Sequence, residues 1–397
     1  MARKRQTSKT RRGISTLLSI IILTILILGA LGFVDLVTLD DALEPFIGVR
    51  LFMTEPRPAV VMPVSEVSAN GDWWSVYFTT PGSDANHIEE ELITLIDSAE
   101  SSIHIASFEF DLEEVAEALI EASESGVEVQ WVTDDEHGLE ADEDEGFGLF
   151  ELMEEAGVGV IDDQRGALMH NKFWIFDQAI VWTGSTNITH NGTLRNNNNV
   201  VVIESPALAA IYEREFQEMW GEEAFGPTSP STAEQQNLVI DGTAISVRFG
   251  PEDDVGALLA SMLGRAQSQI RFMAFSFTHD EMGAAILSRA EEGVDVAGIF
   301  EERGSETEHS ELGRLYCAGV PVLQDGNPRI LHHKVLIIDQ QTVVTGSFNF
   351  SRNADESNDE NVIIIQNAEI AAEYLKEFER RWAEALADSE PIEVPCQ

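Results

Sequence analysis

The pattern His-x-Lys-x4-Asp, closed further on by Gly-Ser-x-Asn, occurs twice in this chain at an offset of 162 residues. The first copy is His170, Lys172, Asp177, Gly184, Ser185 and Asn187; the second is His332, Lys334, Asp339, Gly346, Ser347 and Asn349. The same offset still aligns Phe216 with Phe378 and Trp220 with Trp382. A register kept over that length leaves little freedom: the fold adopted by one half is adopted by the other. Upstream of the motifs the offset is 167 (Ile103 with Ile270), so the first half is longer by the difference, and the extra residues fall around the acidic run 140–145, which reads as a loop insertion.

Each half alternates strand and helix patterns. In the first, Trp73–Thr80 reads as a strand, Asn86–Glu100 as a helix with Ile88, Leu92, Leu95 and Ile96 on one face, and Ser102–Phe110 as a strand. A helix over Leu112–Ser125 stops at Gly126, and Val127–Thr133 is again a strand. The second half repeats the order with a helix Val255–Gln267, a strand Gln269–Phe277, a helix Asp280–Glu292 and a strand Val294–Phe300. Alternation of this kind implies a layered α/β unit, present twice. The motif histidines and lysines fall in apolar runs, Leu168–Phe176 and Ile330–Ile338, that read as strands, where a period of two sets His and Lys on one face.

Composition sharpens the motif. The chain holds only five lysines, Lys4, Lys9, Lys172, Lys334 and Lys376, so two of the five occupy matching motif positions. Lys+Arg number 24 against 70 Asp+Glu, for a net charge of −46. Such a surface keeps a protein soluble, suits salty surroundings and repels anionic partners at low salt. It carries no basic stripe of the kind nucleic-acid binders use.

The exception is the N-terminus. Arg3, Lys4, Arg5, Lys9, Arg11 and Arg12 precede an uncharged, Ile/Leu-rich run to Val34. About 20 apolar residues cross a bilayer as a helix, and the basic flank stays cytoplasmic. The expected order is a basic tail 1–13, a transmembrane anchor 14–34, a stalk 35–70 broken by Pro56, Pro58 and Pro63, repeat 1 over 71–220, a Gly/Pro/Ser-rich linker 221–236 and repeat 2 over 237–390. The catalytic part is then extracytoplasmic and membrane-anchored, or secreted if the segment is cleaved near Ala30-Leu31-Gly32. Two cysteines make no disulfide framework. Cys317 reads as a buried thiol and Cys396 as a free thiol in the tail, with a single bridge outside the cell as the alternative.

Two histidines, two lysines, two serines and two asparagines converging across a pseudo-twofold axis suit an oxyanion that carries a leaving group. Lysines and asparagines hold a phosphodiester; one histidine attacks phosphorus and the other protonates the departing oxygen. The lysines supply the positive charge, so this chemistry calls for no metal and no cofactor. One chain contains both halves, so a monomer suffices for the site.

Both motifs resemble the HKD signature of the phospholipase D superfamily, over roughly residues 72–385, and the phrases HHKVLIID and TGSFNFSRNADESNDENVIII are similar to its nuclease and phosphatidyl-transfer branches. The resemblance implies two tandem phospholipase D-like α/β repeats, each a mixed sheet flanked by helices, with one shared active site at their interface. It also implies a carboxylate or amide after Gly-Ser-x-Asn that orients the histidine of the opposite repeat. Glu360 has that place in repeat 2 and Asn198 in repeat 1. The inequality assigns roles: His170, held by Glu360, is the nucleophile, and His332, held by Asn198, is the acid and base. The expected activity is metal-independent hydrolysis of phospholipid head groups. The alternatives are an extracytoplasmic endonuclease, a cardiolipin synthase-like phosphatidyltransferase and a non-catalytic binding module.

Other residues read more plainly. Asp177 and Asp339 are expected to hold turns through backbone hydrogen bonds, and His333 to point away from the site. His87, His104, His137, His190, His279 and His309 lack matching partners and read as surface or satisfied residues. The stretch Asp134–Glu145 lacks calcium-loop spacing and reads as a solvated loop. Asn199 aligns with Asn361 and is expected in the site wall.

Overall fold

The duplication read from the motif is visible strand by strand. The computed structural model describes residues 68–387, apart from 84, 143–147 and 233–235, together with 392–396. The basic tail, the apolar run 14–34 and the stalk as far as residue 67 lie outside the described residues, and among the described residues no helix is long and apolar enough to cross a membrane.

Repeat 1 contains β1 (Ser68–Asn70), β2 (Trp74–Phe78), β3 (Ser102–Ser107), β4 (Glu128–Thr133), β5 (Gly159–Asp162), β6 (Lys172–Phe176), β7 (Ile180–Gly184) and β8 (Asn199–Glu204). Repeat 2 contains β9 (Asn237–Ile240), β10 (Thr243–Gly250), β11 (Gln269–Ala274), β12 (Asp295–Phe300), β13 (Val322–Gln324), β14 (Lys334–Ile338), β15 (Thr342–Gly346) and β16 (Glu360–Gln366). The sheet orders are β5-β4-β3-β6-β7-β8-β2-β1 and β13-β12-β11-β14-β15-β16-β10-β9, the same order twice. In each, three parallel strands at one end join an antiparallel remainder at the motif strand: β3 pairs antiparallel with β6 and β11 with β14. Helices α1 (His87–Ser98), α2 (Glu113–Glu124), α3 (Leu149–Glu155) and α4 (Pro206–Glu222) accompany the first sheet; α5 (Val255–Leu263), α6 (Asp280–Glu291), α7 (Glu311–Cys317), α8 (Arg352–Glu356) and α9 (Ala368–Ala387) accompany the second.

Burial explains why the motif strands read as unbroken apolar runs. Every residue of β6 and of β14 is buried, as expected for strands covered on both faces. One face feeds an outer core belonging to its own repeat. The other joins a central core drawn from both, in which Phe173, Tyr212 and Phe249 pack with Met273, Val335 and Tyr374. The stacked pairs Phe216–Trp220 and Phe378–Trp382, with ring centroids 5.8 and 5.6 Å apart, close α4 and α9 in the same way.

Four expectations need correction. The stalk does not run to residue 70, because Ser68–Asn70 forms an edge strand on β2. The linker is not free: α4 extends to Glu222, and Gly226, which starts a short 3-10 turn, donates its N–H to Asp359 Oδ1. The described part of the acidic stretch is not a solvated loop. Asp134 and Asp142 are buried because their carboxylates accept backbone N–H groups, Asp134 from His137 and Met169 and Asp142 from Leu149 and Phe150 at the start of α3. Finally, Cys317 and Cys396 are joined in a disulfide, which ties the C-terminal segment to the end of α7.

Candidate active site

The motif histidines are not strand residues. β6 begins at Lys172 and β14 at Lys334, and each histidine sits just before its strand, on a short cross-repeat bridge. His170 N–H donates to Asp359 O at 2.9 Å, and His332 N–H donates to Asn197 O at 2.9 Å. The strand pairing read from the sequence stops early because these residues exchange backbone bonds with the other repeat. That exchange brings the two half-sites together.

Each histidine is then held by a side chain from the opposite repeat. His170 Nδ1 lies 2.8 Å from Glu360 Oε2, and Glu360 in turn accepts from Ser347 Oγ at 2.5 Å. His332 Nδ1 lies 3.0 Å from Asn198 Oδ1 and 3.0 Å from Ser185 O. Asn198 is fixed by Ser185 Oγ, which donates to its Oδ1, and by its own Nδ2, which donates to Gly192 O. Both partners of His332 Nδ1 are acceptors, so Nδ1 carries a proton and Nε2 is the atom left for chemistry. The serine of Gly-Ser-x-Asn thus aligns the residue that aligns the other repeat's histidine. Its glycine is required by close approach: a Cβ at Gly184 would collide with the carbonyl of Asn199, and one at Gly346 with that of Asn361.

The lysines are fully buried. Lys172 Nζ donates to His170 O and Lys334 Nζ to His332 O, both at 3.0 Å, and each ammonium lies over a ring, Phe108 at 4.9 Å and Phe275 at 4.7 Å. The same rings meet the histidines edge-on, Phe108 with His170 and Phe275 with His332. Burial pushes Lys172 down to about 8 and Lys334 well below its usual value, the latter helped by repulsion from Lys172. Burial, followed by the lysine charges, holds both histidines well below theirs. Burial raises Glu360 to about 8, with Lys172 acting against it. Positive charge is therefore costly at this buried point, and an oxyanion beside the lysines would favour their charged forms.

Asn187 and Asn349 complete the ring with amide Oδ1 atoms that are buried and unpaired. Asn361 lines the wall and accepts Lys172 N–H at 3.0 Å. Asn199 lies deeper, accepting from Thr345 Oγ1 and Tyr374 OH. Asp177 and Asp339 stand apart: each carboxylate accepts backbone N–H groups and a serine hydroxyl from the loop before β3 or β11. Their role there is to fix the sheet on which the motif is mounted. His333 is buried away from the site, between Asn199 and Glu377.

Sequence reasoning missed the residues that directly follow β3 and β4 and their repeats β11 and β12. Phe108 and Phe275 are one 167-residue offset apart, and so are Asp134 and Glu301, whose carboxylates accept Met169 N–H and Leu331 N–H just before the histidines. The offset used to align the halves contained this signal. His137 is exposed, yet its ring lies 5.1 Å from that of Phe108, at the edge of the site. Asp134, Asp135 and Asp163 cluster closely enough to hold a cation, but their oxygens accept backbone and arginine N–H groups.

Histidines, lysines and amides from both halves of one chain thus gather around one buried point, a set able to hold a phosphate ester. The family model described as "Cardiolipin synthase, PLD-like domain" matches residues 92–220 and 259–382, most of both repeats. The chain belongs to the phospholipase D superfamily and is, at that level, a phosphodiesterase. A phospholipase D of Rickettsia bellii is 32% identical over 157 residues, 39% of this chain and 78% of that protein. A mitochondrial cardiolipin hydrolase of Mus musculus is 33% identical over 133 residues, 34% of this chain and 60% of that protein. The crystal structure of a phosphatidylserine synthase from Haemophilus influenzae shares the fold, with TM-score 0.57 over 79% of this chain and 87% of that one at 12% identity.

Proposed function

We propose that this protein hydrolyses phospholipid head groups through a phosphohistidine intermediate. The observation that carries the reading is the unequal support of the two histidines, a carboxylate on His170 and an amide with a backbone carbonyl on His332. With Nδ1–H donated to the Glu360 carboxylate, His170 presents the Nε2 lone pair to phosphorus, and the carboxylate stabilises the cation that forms. The phosphodiester anion offsets the lysine charges and lets His332 enter the reaction protonated at Nε2 as well as Nδ1; as the N–P bond forms, the P–O bond to the leaving alcohol breaks and His332 gives its Nε2 proton to that oxygen. His332, now neutral, takes a proton from water as water attacks phosphorus, and the N–P bond breaks. Lys172, Lys334, Asn187 and Asn349 hold the non-bridging oxygens. No step draws on a metal or cofactor.

The names of the relatives, phospholipase D and cardiolipin hydrolase, support a lipid substrate. So does the acidic surface, which disfavours a polyanion. An anchor at 14–34 would place the site beside a bilayer. The disulfide fits an oxidising, extracytoplasmic setting. The test is a paired assay on the full-length chain without added metal: choline release from phosphatidylcholine vesicles against cleavage of single- and double-stranded DNA, with His170→Ala as the blank. Choline release lost in the variant is expected. DNA cleavage without choline release would overturn the lipid reading.

A further inference from the structure

The ring of site residues departs from twofold symmetry at a second place, where strand β3 leaves the sheet. Glu109 lies there in repeat 1, and one 167-residue offset on, repeat 2 has Ser276. The placement is fixed by backbone. Phe110 bridges Ile188 and Phe277 bridges Phe350, so each residue is set against the end of its own Gly-Ser-x-Asn segment. Glu109 Oε2 accepts from Asn187 Nδ2 at 2.6 Å, whereas Ser276 meets the matching segment through its carbonyl, which accepts Phe350 N–H. Glu109 is also close enough to both Lys172 and Lys334 to favour their charged forms.

We propose that Glu109 is a specificity-determining residue that selects phosphodiesters whose alcohol arm carries a cation and rejects those with a further anion beside the scissile phosphate. The inference rests on the reading of this site as a phosphodiesterase site. Two lysines face two carboxylates, Glu360 and Glu109, so once one phosphodiester is bound the site has no positive charge to spare for a second anion. Glu360 is occupied with His170 behind the reacting centre. Glu109 is only half-buried beside Asn187 and is the carboxylate a substrate arm can reach. An ammonium group on that arm meets an opposite charge; the next phosphate of a nucleic-acid strand meets a like one. Discrimination by a like charge is a repulsive device and needs no contact that the favoured substrate lacks.

The test compares the full-length chain with Glu109→Gln and Glu109→Ser on three soluble substrates: dihexanoylphosphatidylcholine, bis(p-nitrophenyl) phosphate and a short single-stranded oligonucleotide. Both variants are expected to lower the kcat/KM ratio of the choline ester to the nitrophenyl ester by about tenfold and to raise the oligonucleotide ratio by a similar factor. Both shifts should shrink in about 1 M salt, where screening is short-ranged. A purely positioning role through Asn187 would instead slow all three substrates together in Glu109→Ser, spare Glu109→Gln and ignore salt; that result overturns the proposal, as do unchanged ratios in both variants. If the wild type cleaves the oligonucleotide but not the choline ester, the lipid reading fails. The proposal is then judged by whether the variants raise the oligonucleotide ratio.

Discussion

The two histidines occupy matching backbone positions, each bridged to the other repeat, yet their surroundings differ in charge. His170 faces a buried carboxylate; His332 faces an amide and a carbonyl. The two half-sites share one backbone arrangement, and the difference of Glu360 from Asn198 makes the supports of the two histidines unequal. A carboxylate stabilises a histidine that must become cationic when it bonds to phosphorus. An amide orients a ring without trapping its proton, which suits a group that gives up and regains that proton within one turnover.

The strongest way to break this comparison is to remove each histidine in turn. His170→Ala and His332→Ala should each lower turnover by at least about 10⁴-fold. They should differ in what they trap. With a substrate whose leaving group needs no protonation, such as a p-nitrophenyl ester, His332→Ala should accumulate label on His170, while His170→Ala should take up none. Label on His332 would reverse the roles.

A second contrast lies at the central core. Glu377 on α9 has its match, one 162-residue offset earlier, in Glu215 on α4. Glu377 is fully buried among His333, Arg380 and Arg381 and is held down to about 2, with the Arg381 charge offsetting the cost of burial. Its folded value lies below its unfolded one, so its contribution to stability is present above about pH 4.5 and is lost as pH falls toward 2. Glu377→Gln leaves two arginines short of a counter-charge and should cost about 3–5 kcal/mol near neutral pH, measured by denaturant unfolding.

The asymmetry at the histidines can be sharpened by erasing it. Glu360→Asn makes both supports amides and should lower kcat by about 10²–10³, with folding unchanged. The pH profile carries the sign. Below Glu360's raised value, near 8, a protonated carboxyl no longer supplies the negative charge that stabilises a cation on His170, so kcat/KM falls toward acid. Above about 8, Lys172 loses its charge and kcat/KM falls toward alkali. Bound phosphate favours the charged lysine, so the alkaline limb of kcat should lie higher than that of kcat/KM. Glu360→Asn should remove the acid limb; an acid limb that persists unchanged would assign it elsewhere. The disulfide is a smaller asymmetry, because repeat 1 has Glu155 where repeat 2 has Cys317. Cys396→Ser should cost about 2–4 kcal/mol under oxidising conditions, read as a lower Tm.

What the sequence disclosed follows from what repetition makes visible. A fixed offset exposes residues present in both halves, which is why His170, Lys172, Glu360 and Asn198 could be named, and why the strand order repeats. It says nothing of contacts that cross between halves. The bridges at Met169–Asp359 and Asn197–Leu331 pull both histidines out of their strands, and no local pattern announces them. The burial of Asp134 and Asp142 was hidden for the same reason: composition reads an acidic run as solvated, whereas backbone N–H groups supplied by tertiary contact allow a carboxylate to be buried. The disulfide joins a helix end to the tail, two segments whose proximity only the fold creates.

The least effect, and the only gain, is expected at Glu215. The positions that supply Asn171, Glu218 and Met219 around it supply His333, Arg380 and Arg381 around Glu377, so the cations of repeat 2 have no counterpart. Burial raises Glu215 well above the usual carboxylate range, and Glu252, Glu218, Asp359 and Asp253 push it further. Its folded value exceeds its unfolded one, so the contribution is fully present below about pH 4.5 and is lost as pH rises through the folded value, where a buried carboxyl must ionise beside other carboxylates. Glu215→Gln keeps the shape and removes the ionisation. It should be near neutral at pH 4.5 and stabilising by about 1–2 kcal/mol at pH 8, with unfolding midpoints at both values as the measurement. A gain of equal size at the two pH values would mean that packing, not charge, separates the two glutamates; a loss at pH 8 would mean that repeat 1 balances Glu215 by other means.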